Sequence, residues 1–199
     1  MLDLSQFCGT DTDTHSFSTP FSDGEYTYAT DGFMMVRVPY IKGTERAAPV
    51  KLASSFFSPS ANGAWQSIKG VPKPALKQCP QCKGTKFANE CEDCEGIGEV
   101  SLDHGNWTYE VECKECDGEG FVPGGETTCS YCHGTGDVYA DLYDSVRIEG
   151  TRLSLHLLDK IKPLPNIEIY LPAPSTGPAK GVVPFRFDGG DGIIMAMSE

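Results

Sequence analysis

From Gly24 to Tyr40 apolar and polar positions alternate with a period of two, in GEYTYATDG and then FMMVRVPY, and the pattern breaks only at Asp31-Gly32. A strand with one buried face needs that alternation, and Asp-Gly between two such runs signals a hairpin. Strand patterning returns in DSVRIEG (144–150), in NIEIYLPAP (166–174) and twice within GVVPFRFDGGDGIIMAM (181–197). In the last of these, Gly189-Gly190 and Asp191-Gly192 predict the connecting turn. Over SLHLLDKIKPLP (154–165) the period becomes helical: Leu155, Leu158 and Ile161 recur on one face, and Pro163 lies just past the expected end. A second, short helix is expected in VKLASSFFS (50–58). The flanking sequence therefore predicts an α+β fold of antiparallel strands with about two helices.

Between residues 79 and 132 that patterning gives way to cysteines. Eight of the nine in the chain form four Cys-x-x-C pairs, Cys79/Cys82, Cys91/Cys94, Cys113/Cys116 and Cys129/Cys132, and Cys8 stands alone. One tight Cys-x-x-C turn aims two sulfurs at a point, and two turns make a tetrahedral four-sulfur site suited to zinc. Gly84, Gly96, Gly118 and Gly134 follow the pairs, where a residue free to take positive φ leaves backbone N–H groups pointing at sulfur. A disulfide framework requires an oxidising compartment, and a thioredoxin-type redox centre has one such pair rather than four. An iron–sulfur cluster is the remaining chemical alternative, although its spacings usually differ. The segment has few large apolar side chains, so bound metal is expected to supply its folding energy.

The linkers between successive pairs are 8, 18 and 12 residues long. The longest contains EVSLDHGNWTYEVE, with Val100 and Leu102 alternating on one arm, Trp107, Tyr109 and Val111 on the other, and Asp103-His104-Gly105-Asn106 as the turn between. A hairpin there brings the second pair to the third, leaving the first for the fourth. The expectation is an inner zinc site of Cys91, Cys94, Cys113 and Cys116 nested within an outer site of Cys79, Cys82, Cys129 and Cys132, two ions in all. Four sulfurs close each site, so the role is structural rather than catalytic. His104 and His133 are the substitute ligands that eight thiolates make unnecessary.

Charge sharpens the picture of partners. The segment 79–132 holds twelve acidic side chains against Lys83, Lys86 and Lys114, most of the whole chain's net charge of −12. That balance argues against direct grip on a phosphate backbone and suits a protein partner with a basic face.

CEDCEGIG, CKECDGEG and CSYCHGTG are full copies of a CxxCxGxG repeat, and CPQCKGTK departs from it only by Lys86 at the last glycine. This set resembles the cysteine-rich zinc domain of DnaJ-type co-chaperones. The resemblance implies the nested pairing, two zinc ions and a surface that contacts proteins; Lys86 puts the geometry of the first turn in question. No His-Pro-Asp loop and no glycine/phenylalanine-rich linker occur in the sequence, so the expectation is a zinc fold rather than a complete co-chaperone. The module is expected at 79–132, inserted into one host domain made of 1–78 and 133–199, because the outer site draws its entry and exit together. In the host, YATDGFMMVRV and the order helix, NIEIYLP, VVPFRF, GIIMAM resemble one domain of a bacterial DNA polymerase sliding clamp.

The remaining chemistry is sparse. There is no GxSxG and no phosphate-binding GxxxxGK[ST], and GGDG at 189–192 is followed by no helix. His15 with Asp11 and Asp13 is a candidate cation site, Cys8 reads as a small core residue, and His156 as a satisfied or exposed histidine. No apolar run is long enough to span a bilayer, and MLDLSQFCGTDTDTHSFS lacks the charge and apolar stretch of a signal peptide, which points to a reducing cytoplasm. The expected function is non-enzymatic: a zinc-binding interaction or accessory factor, phage-related in the clamp reading and working near DNA through another subunit. A fragment that binds unfolded polypeptides and a DNA-binding clamp relative are the alternatives.

Overall fold

The computed structural model describes residues 2–9, 17–44, 57–59, 62–173, 177, 179 and 181–198. The chain divides into two compact units, one of Met1–Pro74 with Leu142–Glu199 and one of Ala75–Asp141. A 3-10 turn (Leu4–Phe7) and strands β1 (Phe21–Ser22), β2 (Tyr26–Thr30), β3 (Met34–Pro39) and β4 (Gly63–Ser67) come first. The second unit holds β5 (Leu76–Gln78), β6 (Phe87–Glu90), β7 (Glu99–His104), β8 (Trp107–Glu112), β9 (Phe121–Thr128) and β10 (Asp137–Tyr139). The chain returns to the first unit with β11 (Ser145–Ile148), β12 (Thr151–Ser154), helix α1 (Leu155–Ile161), β13 (Glu168–Pro172), β14 (Val182–Phe187) and β15 (Gly190–Met195). The architecture is mostly antiparallel β. Among the described residues α1 is the only α-helix, and no helix is long and apolar enough to cross a membrane.

Seven strands of the first unit form one antiparallel sheet in the order β1-β2-β3-β15-β14-β13-β4. Its alternation sends one row inward, Ala29 opposite Val36, Val36 opposite Gly192, Gly192 opposite Phe185 and Phe185 opposite Ile169. On this face Leu157, Leu158 and Ile161 of α1 complete a single apolar core with Leu4 and Phe7 of the 3-10 turn. Ser154 caps α1 by accepting from the Leu157 N–H, and Lys160 reaches Asp31 in the β2–β3 turn at 2.9 Å. The opposite face carries a polar row in register across five strands, Tyr28 followed by the charged Arg37, Asp191, Arg186 and Glu168. Arg37 donates to both oxygens of Asp191, and its guanidinium lies over the rings of Tyr26 and Phe57. Arg186 bonds Glu168 at 2.8 Å and stacks over Trp65. Alternating signs between neighbouring strands favour this register, because a one-residue slip turns every side chain to the wrong face.

Several expectations change in detail. The final hairpin turns at Asp188-Gly189, not at 191–192, since Phe187 pairs with Gly190 and Asp191-Gly192 lies inside β15. The reason is steric: a Cβ on Gly192 would sit 2.2 Å from Cζ of Phe185 and 2.3 Å from the carbonyl oxygen of Met35. Glycine here makes room for a ring rather than for a turn. DSVRIEG forms β11, but β12 follows it at once through a Glu149-Gly150 turn with φ of 48° and 81°. The cysteine-bearing unit is wider than 79–132: VPKPALKQ is no mere lead-in, because its end forms β5 and pairs with β10 from Gln78↔Asp137 to Leu76↔Tyr139. The helix expected at 50–58 and the His15/Asp11/Asp13 group fall outside the described residues, apart from Phe57, which is buried against Phe21, Tyr28 and Met35, and Ser58.

Gly192→Ala should therefore lower the stability of the first unit by roughly 1–3 kcal/mol, the usual cost of overpacking a tight site. A urea titration followed by near-ultraviolet circular dichroism checks this; an unchanged midpoint contradicts the packing described here.

Candidate metal centres

The second unit has almost no conventional core. Apart from its cysteines Ala88 is its only buried apolar residue, with Phe121 and Val138 partly buried around one cysteine group and Val100 and Val122 around the other. What is buried is sulfur. Cys79, Cys82, Cys129 and Cys132 form one group and Cys91, Cys94, Cys113 and Cys116 the other, and within each the Sγ atoms all lie within 4.8 Å of one another. Across the outer group Cys79 Sγ is 3.8 Å from Cys129 Sγ and Cys82 Sγ 3.6 Å from Cys132 Sγ. Across the inner group the corresponding separations are 3.8 Å and 3.7 Å. A zinc–sulfur bond of about 2.3 Å implies a tetrahedron with edges of about 3.8 Å, whereas a disulfide needs about 2.05 Å. The two buried groups are therefore compatible with two zinc ions. Among the described residues no histidine joins either group.

The backbone builds each group as a pair of interlocked knuckles. Within each repeat the residue after the second cysteine and the glycine after it both take positive φ: Lys83 and Gly84, Glu95 and Gly96, Asp117 and Gly118, His133 and Gly134. This left-handed pair folds the chain back so that Gly96 N–H reaches the Cys91 carbonyl and Ile97 N–H that of Cys94, with matching bonds in the third and fourth repeats. His133 is thus a turn residue, and His104 closes β7; neither is placed as a ligand. The last position of the repeat sends its N–H to sulfur, Gly98 to Cys94 at 3.2 Å, Gly120 to Cys116 at 3.2 Å and Gly136 to Cys132 at 3.3 Å. Such bonds stabilise thiolate over thiol. The same residues join the knuckles: Cys113 N–H donates to Gly98 and Cys91 N–H to Gly120, while Cys129 N–H donates to Lys86 and Cys79 N–H to Gly136.

Lys86 thus takes the glycine's part in joining the knuckles, with φ of 73° against 86° at its counterpart Gly136. The outer group has room for it. A Cβ on Gly136 would meet the Gly84 carbonyl oxygen at 3.0 Å, whereas in the inner group a Cβ on Gly98 or Gly120 would meet a carbonyl oxygen at 2.2 Å. The first turn differs in one bond, since the N–H of Lys83 rather than of Gly84 reaches the Cys79 carbonyl at 2.8 Å, yet Lys86 still accepts from Cys129 because the outer knuckles leave more space.

Between the second and third repeats β7 and β8 pair from Glu99↔Glu112 to His104↔Trp107. This hairpin carries the second cysteine pair to the third. Its loop is shorter than the sequence suggested, Gly105-Asn106 alone, with Gly105 at φ 65° in the first loop position that a type II′ turn reserves for glycine. The outer knuckles are joined by β6 with β9 and by β5 with β10.

Burial pushes the Cys79 and Cys91 thiols up to about 12. Each is protonated at neutral pH until a cation displaces the proton, so occupancy should rise with pH and fall on acidification. Elsewhere, Cys8 is half-buried against the first unit's core, with its thiol raised chiefly by burial. His156 on α1 is lowered by burial and then by Lys160. Among the described residues neither lies in a cluster of potential ligands.

A unit of two closed four-cysteine groups on antiparallel hairpins is consistent with a DnaJ-type cysteine-rich zinc domain. The chain is similar to the Chaperone protein DnaJ of Vesicomyosocius okutanii subsp. Calyptogena okutanii (strain HA), with 31% identity over 80 residues, 38% of this chain and 21% of that protein. It is also similar to the Chaperone protein DnaJ of Xylella fastidiosa (strain M12), with 28% identity over 91 residues, 42% of this chain and 24% of that protein. The chain thus spans about a fifth to a quarter of the length of these relatives. No protein-family profile matches it, and no solved structure does.

The glycine geometry separates two otherwise equivalent substitutions. Gly120→Ala should cut bound zinc from two ions per chain towards one, since its Cβ has no space, whereas Gly136→Ala should keep two at a cost of roughly 1–2 kcal/mol for the left-handed backbone. Elemental analysis of the two purified variants reads the difference directly, and equal zinc contents would contradict the account.

Proposed function

We propose that this is a non-enzymatic, zinc-stapled interaction protein. Its cysteine-rich unit holds one zinc on Cys79, Cys82, Cys129 and Cys132 and another on Cys91, Cys94, Cys113 and Cys116, and presents a surface to a protein partner. The observation that carries this reading is the closure of both sulfur groups: every cysteine in them is buried, and four sulfurs complete the preferred coordination. A metal so enclosed offers no position to a substrate. Thiols serving as ligands require a reducing compartment, which agrees with a cytoplasmic location. The acidic balance of the unit favours a partner with a basic face over nucleic acid.

A second reading, a chaperone fragment that binds unfolded polypeptides, is favoured by the similarity to the two DnaJ proteins. Suppression of the aggregation of a denatured client by the intact protein supports it; inertness in that assay leaves the partner-specific reading. A finer form of the first reading, a phage-related accessory factor near DNA replication, rests on the clamp-like YATDGFMMVRV segment and on the seven-stranded antiparallel sheet. Direct DNA contact would appear as salt-sensitive gel retardation, and ring assembly in sedimentation velocity.

The central test is metal stoichiometry joined to inertness. Freshly purified protein should contain two zinc ions per chain, lose the second unit's near-ultraviolet signal on chelation and show no insulin-reductase activity. Thiols that reduce insulin while the metal stays bound would overturn the structural role.

A further inference from the structure

We propose that the free edge of β8 docks an extended segment of a partner protein that alternates apolar and basic residues and joins the β7–β8 hairpin as a third, antiparallel strand. The inference rests on the interaction role above and names the chemistry of the partner.

The hairpin's two faces differ completely. Cross-strand pairs place Val100 with Val111, Leu102 with Tyr109 and His104 with Trp107 on one face. The three largest apolar side chains there are open to solvent, Trp107 at 71%, Leu102 at 54% and Tyr109 at 53% exposure. The other face carries Glu99 opposite Glu112, Ser101 opposite Glu110 and Asp103 opposite Thr108, with Ser101 bonding Glu110 and Thr108 bonding Asp103. It has four carboxylates and no cation.

Among the described residues the edges are also unfilled, since β7 and β8 form a two-stranded sheet and pair only with each other. The Cys113 N–H bond to the Gly98 carbonyl sets the ladder's alternation, so the backbone groups of Thr108, Glu110 and Glu112 point outward from β8. An isolated two-stranded ribbon is marginal in water, and an open edge is a template for another strand. A strand added there presents successive residues to opposite faces. Its apolar residues lie beside Trp107, Tyr109 and Val111, and its cationic residues beside Glu110 and Glu112. One occupant thus accounts for the apolar face, the acidic face and the open edge, by strand addition with side-chain specificity on both sides.

The geometry dictates which backbone amides of the partner matter. In an antiparallel addition the residues opposite Thr108, Glu110 and Glu112 exchange the hydrogen bonds, and these are the basic ones. The test uses the intact zinc-loaded protein and a fluorescently labelled octapeptide alternating valine and lysine, read by anisotropy. Binding should weaken at least about tenfold when the lysine amides are N-methylated, and little when the valine amides are. It should weaken comparably for a block peptide of the same composition, for an alternating valine–glutamate peptide and for the protein variants Trp107→Ser and Glu110→Lys. Equal affinity for the block or valine–glutamate peptide, or indifference to lysine N-methylation, overturns the proposal. The peptide changes leave the protein untouched, so they decide the matter even if a variant fails to fold. Protein that carries two zinc ions and ignores the alternating peptide overturns this inference alone; protein without zinc overturns the reading beneath it.

Discussion

Four sulfurs within 4.8 Å of one another make an unfavourable cluster by themselves. Ionised, they repel in a site that excludes water; protonated, they are weak donors with little to donate to. A divalent cation at the centre reverses both terms, because it neutralises the thiolates and turns their crowding into coordination. The magnitude decides what holds the second unit together. A structural zinc contributes an apparent ~10–16 kcal/mol, while full burial of a large apolar side chain contributes ~1.5–3 kcal/mol. This unit buries none outside its cysteines and half-buries only a few. Metal–sulfur bonding is therefore the core, and the rest of the unit is arranged to present sulfur to it.

That arrangement explains residues that otherwise look incidental. In the second, third and fourth repeats the left-handed turn frees an N–H for sulfur, and the last residue both donates to a sulfur and accepts from the partner knuckle. Because the knuckles touch there, glycine is required in the inner group and Lys86 is tolerated in the wider outer one. At the surface, the hairpin between the inner pairs separates apolar from acidic side chains. The first unit stands on other physics: a seven-stranded sheet with α1 on its apolar face and an alternating row of charge on the other.

Local signals were readable wherever one element supplied them. The nested grouping of the cysteines follows from the hairpin in EVSLDHGNWTYEVE, and α1 and the strands around Asp31-Gly32 follow from period and turn residues. What escaped depended on neighbours distant in sequence. β15 lies beside β3, and the row from Tyr28 to Glu168 exists only once that register is set. Gly192 looked like a turn because the ring of Phe185 above it is contributed by another strand. β5 and β10 are three-residue strands with no buried face to impose alternation, so their pairing left no periodic trace. β12 was masked by its proximity to α1, whose cap Ser154 is its own last residue.

X-ray absorption at the zinc edge tests the account most directly. It predicts a single shell of four sulfurs at about 2.3 Å around each of two zinc ions, with no nitrogen or oxygen in the first shell. A mixed shell containing imidazole nitrogen, or an iron edge with short metal–metal scattering, would contradict it.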